Sequence, residues 1–350
     1  MRMTRAPRTT LKMTNRTLKA SAADRLKGTY RSSAGILLPR IERHVMRSLR
    51  DTGGIDPGRS SDYMHPSDMS HKDWCGRHDY YRMIGTPVEK EAKANPSFRM
   101  ENVFAEGHAI HGKYQQWLHE MGGLVGVFQC EACTYEWFTT SPKECPFCRA
   151  TSIVYREYPL RREVYRVEGH ADGAVSLPDL QTLVEIKSIG IRTLAFEAPR
   201  LYQRYLDGEK PEDIWFEINR PFGSHMKQGQ LYMWMAWPAY EQIVFIYESK
   251  FHQQTKEFVV EYNKSLIQPV LETARDVARA FRGGYEPDRP LWAEGPEGKV
   301  CSSCSYRRTC WGENDAAQAN DPPEQLVRVR RAGSAKRKRQ LGKPASGGPA

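Results

Sequence analysis

Asp172, Glu185 and Lys187 are of the types, and at the spacing, that bind a divalent cation and handle a proton. They fall in two β-type runs, 164–175 and 182–189, and the turn-like SLPDLQ between them predicts an antiparallel hairpin. Side chains alternate along a strand, so Glu185 and Lys187 share one face while Ile186 points into the core. Asp172, thirteen residues before Glu185, can sit beside it across the pairing. Two carboxylates so placed repel each other unless a cation stands with them, and one lysine offsets them only in part. Hard oxygen ligands suit Mg²⁺ or Mn²⁺. Taken alone, the pattern is also that of ordinary solvated strand residues.

The eight cysteines form two groups of four. Cys130-x2-Cys133 and Cys145-x2-Cys148 are paired knuckles separated by 11 residues, the spacing of a zinc ribbon in which four thiolates close a tetrahedron. Pro146 and the aromatic Tyr135, Trp137 and Phe138 suit its small hairpins, and a closed four-thiolate site is structural. Cys301-x2-Cys304-x5-Cys310 lacks a fourth ligand nearby, and Cys75 is the remaining candidate. Four thiolates there fit Zn²⁺ or an iron–sulfur cluster alike, and either would tie residue 75 to 301–310. Two i, i+4 pairs add to the set. Gly107 precedes His111 by one helical turn, so the missing side chain lets the helix approach closely where His111 projects. Gln228 and Tyr232 are paired in the same way on a helix after the hairpin.

Helices are expected at 36–49, 67–85, 101–121 and 264–282. In the third, Val103, Ile110, Tyr114, Trp117 and Met121 form the apolar stripe. Later strands are expected at 214–218 and 242–247, and the mixture points to an α/β or α+β body without internal repeats. The net charge of +10 is uneven. Residues 1–50 carry 13 basic and 2 acidic groups, 321–350 carry 8 and 2, and the remaining 270 carry 31 and 38. A mildly acidic body with two basic arms, 1–35 and 321–350, is the result, which excludes a uniformly basic histone-like or ribosomal protein. The arms read as disordered and phosphate-seeking, KRKR at 336–339 above all. The first arm also has the composition of an organelle transit peptide. No stretch approaches the ~18–20 apolar residues of a membrane helix, and a soluble, cytoplasmic protein is expected.

The order of the motifs carries a resemblance. Cys75, Gly107-x3-His111, Gly169-x2-Asp172-Gly173, Glu185-x-Lys187, Gln228-x3-Tyr232 and Cys301-x2-Cys304-x5-Cys310 together resemble the RecB-like branch of the PD-(D/E)XK nucleases. The likeness is to its cluster-containing members, the AddB-type domains and the CRISPR-associated and viral exonucleases, and it covers about residues 62–312. Two features depart from it: the Asp172 motif reads HAD without the family's Pro, and a zinc ribbon is inserted at 128–150. The resemblance implies a restriction-endonuclease-like mixed sheet flanked by helices over 36–320. It implies that Asp172, Glu185 and the carbonyl of Ile186 hold Mg²⁺ or Mn²⁺, with His111 as a nitrogen ligand. Lys187 would orient or deprotonate the attacking water, and Gln228 and Tyr232 would position it or the DNA. Cysteines 75, 301, 304 and 310 would hold a [4Fe–4S] cluster. The expected function is a metal-dependent deoxyribonuclease, an exonuclease acting on single- or double-stranded ends in recombination, repair or replication alongside proteins of those processes, in a prokaryotic or phage-infected cell. The alternatives are a non-catalytic nucleic-acid-binding scaffold and an RNA-processing nuclease.

Overall fold

The computed structural model describes residues 37–51, 59–89 and 97–312. The two basic arms expected at 1–35 and 321–350 lie outside them. By internal packing the described residues form two units, 37–51 with 97–105, and 59–89 with 106–312. The smaller unit holds α1 (Leu38–Asp51) and the first residues of a 23-residue helix, Phe98–Glu120. In the larger unit the chain runs through α2 (Pro66–Met69), α3 (Gly76–Met83), the rest of Phe98–Glu120 as α4, β1 (Leu124–Cys130), β2 (Glu136–Thr140), β3 (Ile153–Tyr155), β4 (Tyr158–Arg162) and β5 (Val167–Ala171). It continues through β6 (Gly173–Leu177), β7 (Leu180–Ile189), α5 (Ile191–Glu197), α6 (Pro199–Leu206), α7 (Pro211–Glu217), α8 (Gly223–Ala236), β8 (Gln242–Ser249), β9 (Thr255–Glu261), α9 (Gln268–Gly283) and α10 (Arg307–Trp311).

The fold is mixed α/β. A seven-stranded sheet runs β2-β1-β6-β7-β8-β9, with β3 also paired to β1, and helices flank it. Only β7 and β8 are parallel; the other neighbours are antiparallel. A separate two-stranded sheet joins β4 to β5. Alternation along β7 decides what each face touches. Leu183 and Ile189 enter the main core with Ile243, Phe245 and Tyr247 of β8 and the buried residues of α8. Val184 and Ile186 face the opposite way, against Ile110 of α4. Helix α8 is buried from Gln228 to Met235, all round rather than on a stripe, as a helix enclosed by a core must be. Helix α9 is amphipathic as expected, burying Leu271, Ala274, Val277 and Ala278, and left-handed Gly284 ends it.

Several expectations are corrected. The run 164–175 is two strands in different sheets, β5 and β6, because the chain leaves one sheet and joins the other at Asp172. Segment 214–218 belongs to helix α7, not to a strand. Pro211 in its first turn, followed by Glu212 and Asp213 at its positive end, outweighs the β-propensity of Ile214 and Trp215. The helix expected over 67–85 is two short helices, and Cys75 caps the second in extended conformation. On α4 the apolar stripe is not a buried face: Ile110 alone is buried, and Val103, Trp117 and Met121 are exposed. The cysteine ribbon continues the sheet, its first knuckle ending β1, which pairs with β6.

Packing between α8 and β8 leaves no room at Gly229, where a Cβ would stand 2.5 Å from Phe245 Cζ and 3.3 Å from Ile243 Cγ2. Gly229→Ala is therefore expected to cost about 1–3 kcal/mol through overpacking. At Gly112, also mid-helix, nothing lies within 4 Å of an added Cβ, so Gly112→Ala should gain about 0.5–1 kcal/mol. Urea denaturation of both variants checks the pair; equal shifts would refute this account of the helix contacts.

Candidate active site

Asp172 and Glu185 meet because of register. Gly173 pairs with Val184 in the β6–β7 hairpin, so the residues one step beyond, 172 and 185, stand level where β6 gives way to β5. Both are buried, at 8% and 2% exposure. Asp172 is held from two sides: its Oδ2 accepts from the Ile186 backbone N–H at 2.6 Å, and its Oδ1 lies 3.1 Å from His111 Nδ1. Gln115, one turn beyond His111 on α4, donates Nε2 to the Asp172 carbonyl at 2.8 Å. Gly107 faces β7, but a Cβ there would meet only Ser188 Oγ at an ordinary 3.5 Å, so the glycine is not what lets α4 approach.

On the other face of β7 a polar chain runs into α8. Lys187 Nζ lies 2.7 Å from Glu185 Oε1 and donates at 2.9 Å to Gln228 Oε1, and Gln228 Nε2 reaches Tyr232 OH at 2.9 Å. Helices α4 and α8 thus bracket the carboxylates from opposite faces of the sheet. Burial, reinforced by the Asp172 charge, pushes the Glu185 carboxyl up to about 7. Burial works against the Lys187 ammonium, yet Glu185 and Asp172 outweigh it and the shift is upward. His111 behaves likewise, burial being outweighed by its bond to Asp172. Glu185 Oε2 is buried with no hydrogen-bond partner. An uncompensated carboxylate oxygen is costly to leave in a protein interior, and a cation is the ligand that would satisfy it. The donors present, two carboxylates and an imidazole nitrogen, are the types a hard divalent ion takes, although the three do not all lie within 4.8 Å of one another.

Cysteines 130, 133, 145 and 148 bring all four sulfurs within 4.8 Å of one another and can hold a metal ion. Cys130 and Cys148 are 3.5 Å apart, and Cys133 and Cys145 3.7 Å. A tetrahedron with Zn–S bonds of about 2.3 Å has edges near 3.8 Å, so the spacing suits one ion. Burial opposes ionisation of Cys145, but the Phe147 and Cys148 N–H groups and the adjacent thiols bring it down to about 7. Cysteines 75, 301, 304 and 310 line a single cavity with Tyr81 and Tyr306, and burial pushes the Cys75 thiol up to about 11. Among the described residues no group but the first draws three or more such ligands within 4.8 Å. The second four are therefore set wider than one zinc ion requires. None of the described helices is long and apolar enough to cross a membrane.

No protein-family model matches the chain, and neither does any curated protein. Among solved structures the chain is similar to SSO0001, at 12% identity and a TM-score of 0.35 over 78% of this chain and 96% of that one. It is also similar to an alkaline exonuclease, LHK-Exo, from Laribacter hongkongensis, at 11% identity and a TM-score of 0.29 over 64% of this chain and 89% of that one. The same exonuclease in complex with dAMP gives 11% identity and 0.31 over the same shares. Likenesses this loose leave the site's own geometry as the ground for a functional reading.

Proposed function

We propose that this chain is a metal-dependent nuclease that hydrolyses phosphodiester bonds in DNA, acting from strand ends. The observation that carries the reading is the buried, unpartnered Oε2 of Glu185 beside Asp172, with His111 and Lys187 in contact with the same pair. Asp172, Glu185, His111 and the Ile186 carbonyl would hold Mg²⁺ or Mn²⁺. A cation bound there supplies Lewis acidity to a phosphoryl oxygen and makes water a better nucleophile. Lys187, an ammonium braced by Gln228, orients the water that attacks phosphorus in line with the leaving oxygen. Tyr232 holds the far side of Gln228, which fixes the direction in which Lys187 points. The wider thiol set, Cys75, Cys301, Cys304 and Cys310, fits a [4Fe–4S] cluster, and the compact set fits structural Zn²⁺.

Glu185→Ala and Lys187→Ala are each expected to slow degradation of linear DNA in Mn²⁺ by at least roughly a hundredfold. Variants as fast as the parent would end the nuclease reading, while retained binding without cleavage by the parent would favour a scaffold. Metal analysis after anaerobic purification is expected to give about one Zn and about four Fe per chain. Cys75→Ser should lower iron and leave zinc, and Cys133→Ser should do the reverse. Zinc in both sites would refute the cluster.

A further inference from the structure

A cleft of about 720 Å³ opens at the C-terminal end of α8, away from the carboxylates. Its walls are aromatic and cationic: Trp234, Trp237, Tyr262, Arg162 and Lys264 line it. Trp237 is 43% exposed and rests against Tyr262, with ring centroids 5.0 Å apart and planes 34° from parallel, so one indole face is open. Arg162 donates Nη2 to the carbonyls of Trp234 and Trp237 at 2.9 Å, which closes the end of α8. Its Nε is buried and has no acceptor. Glu163 and Arg161, also at the rim, are engaged with each other, and Glu163 accepts from Tyr63 OH as well. The charge left facing the cleft is therefore positive. Open aromatic faces beside cations are the means by which proteins hold unpaired nucleotides.

The cleft is joined to the site by two elements. Arg162 pairs with Val167 in the β4–β5 sheet, and β5 ends beside Asp172 five residues later, roughly 16 Å at ~3.3 Å per residue. Trp237 follows Tyr232 by five residues, just past the end of α8 at Ala236, roughly 7.5 Å at ~1.5 Å per residue. An aromatic, cationic cleft lies at this remove from a site that the nuclease reading gives to a phosphodiester. We propose that it is a second nucleotide subsite, in which an unpaired base of the substrate strand stacks on Trp237 and the phosphate beside it meets Lys264 and Arg162 Nε. The subsite rests on that reading for its substrate. Even at the compact duplex rise of about 3.4 Å per nucleotide, the strand between the two places is at most about five nucleotides.

The test is equilibrium binding of fluorescein-labelled oligothymidylates of two, three, five and eight nucleotides to Glu185→Gln protein, which separates binding from cleavage. Affinity is expected to step upward between two and five nucleotides. Trp237→Ala and Lys264→Ala, each in the same background, should remove that step, roughly tenfold per stacked base. Lys264→Ala should also reduce the log–log salt slope by about 0.7. Both variants keeping the parent's length dependence, with unchanged thermal midpoints, would overturn the subsite. Trp237→Phe, which keeps an aromatic face, should retain most of the step; its loss in Trp237→Phe as in Trp237→Ala would count against stacking. Failure of the nuclease reading shows elsewhere, in DNA cleavage by Glu185→Gln protein at the parent rate, and leaves the binding series to decide the subsite by itself.

Discussion

Two carboxylates forced side by side in a protein interior are the constraint around which the larger unit is arranged. At an effective dielectric of about 20, two unit charges about 4 Å apart repel by roughly 4 kcal/mol. The β6–β7 register sets Asp172 level with Glu185. Partial relief comes from three groups on two elements: the Ile186 N–H and the Lys187 ammonium of β7, and the His111 imidazole of α4. Relief stops short of complete, as the upward shift of Glu185 and its unpartnered oxygen record. A fold selected only for stability would replace Glu185 with an apolar residue, since Leu183, Val184 and Ile186 around it are buried on both faces of β7. Keeping it is intelligible when a cation completes the site.

The helices are placed by the same strand. α4 lies against the even-numbered residues of β7 through Ile110 and is anchored to β8 by Lys113, whose ammonium reaches both oxygens of Glu248 at 2.7 and 2.5 Å. Lys250 adds a second anchor through Glu106 at 3.3 Å. α8 lies against the odd-numbered face, brought close by Gly229. Because both helices index to β7 and its parallel neighbour β8, a shift of either would move His111 or Gln228 relative to the carboxylates. The parallel pair is the rigid reference, and the site sits on it rather than on loops.

The chemistry was more legible than the architecture, and the reason is physical. Thirteen residues between Asp172 and Glu185 fit a tight hairpin, and the pairing of a hairpin follows from arithmetic, so their adjacency could be read. CxxC knuckles are equally local. By contrast, nothing in VEGHADGAV announces that β5 pairs with β4 while β6 pairs with β1, since a strand's partner is a tertiary choice. Ile214–Trp215–Phe216 has the propensity of a strand, and the start signal in Pro211, Glu212 and Asp213 overrides it. β9, TKEFVVE, alternates exposed and half-buried residues, a period-two pattern that the sequence itself carries. Gln115 and the cleft beside Trp237 depend on distant segments meeting, and no local pattern encodes them.

The two cysteine groups differ in what they close. Cys130 to Cys148 spans 18 residues, all on one side of the sheet, whereas Cys75 to Cys310 spans 235 and joins the helix ahead of the site to the last one described. Closing the longer loop removes about 2 kcal/mol more conformational free energy from the unfolded chain, by the logarithmic dependence on loop length. The packing beside Cys75 already supports such a closure: Gly76 lets α3 meet α9 with Val277 Cγ2 only 2.6 Å from where a Cβ would stand. A centre held by Cys75, Cys301, Cys304 and Cys310, as proposed, would act on the whole unit, fastening segments far apart in the chain. The compact ribbon acts on the end of β1, two strands from Glu185.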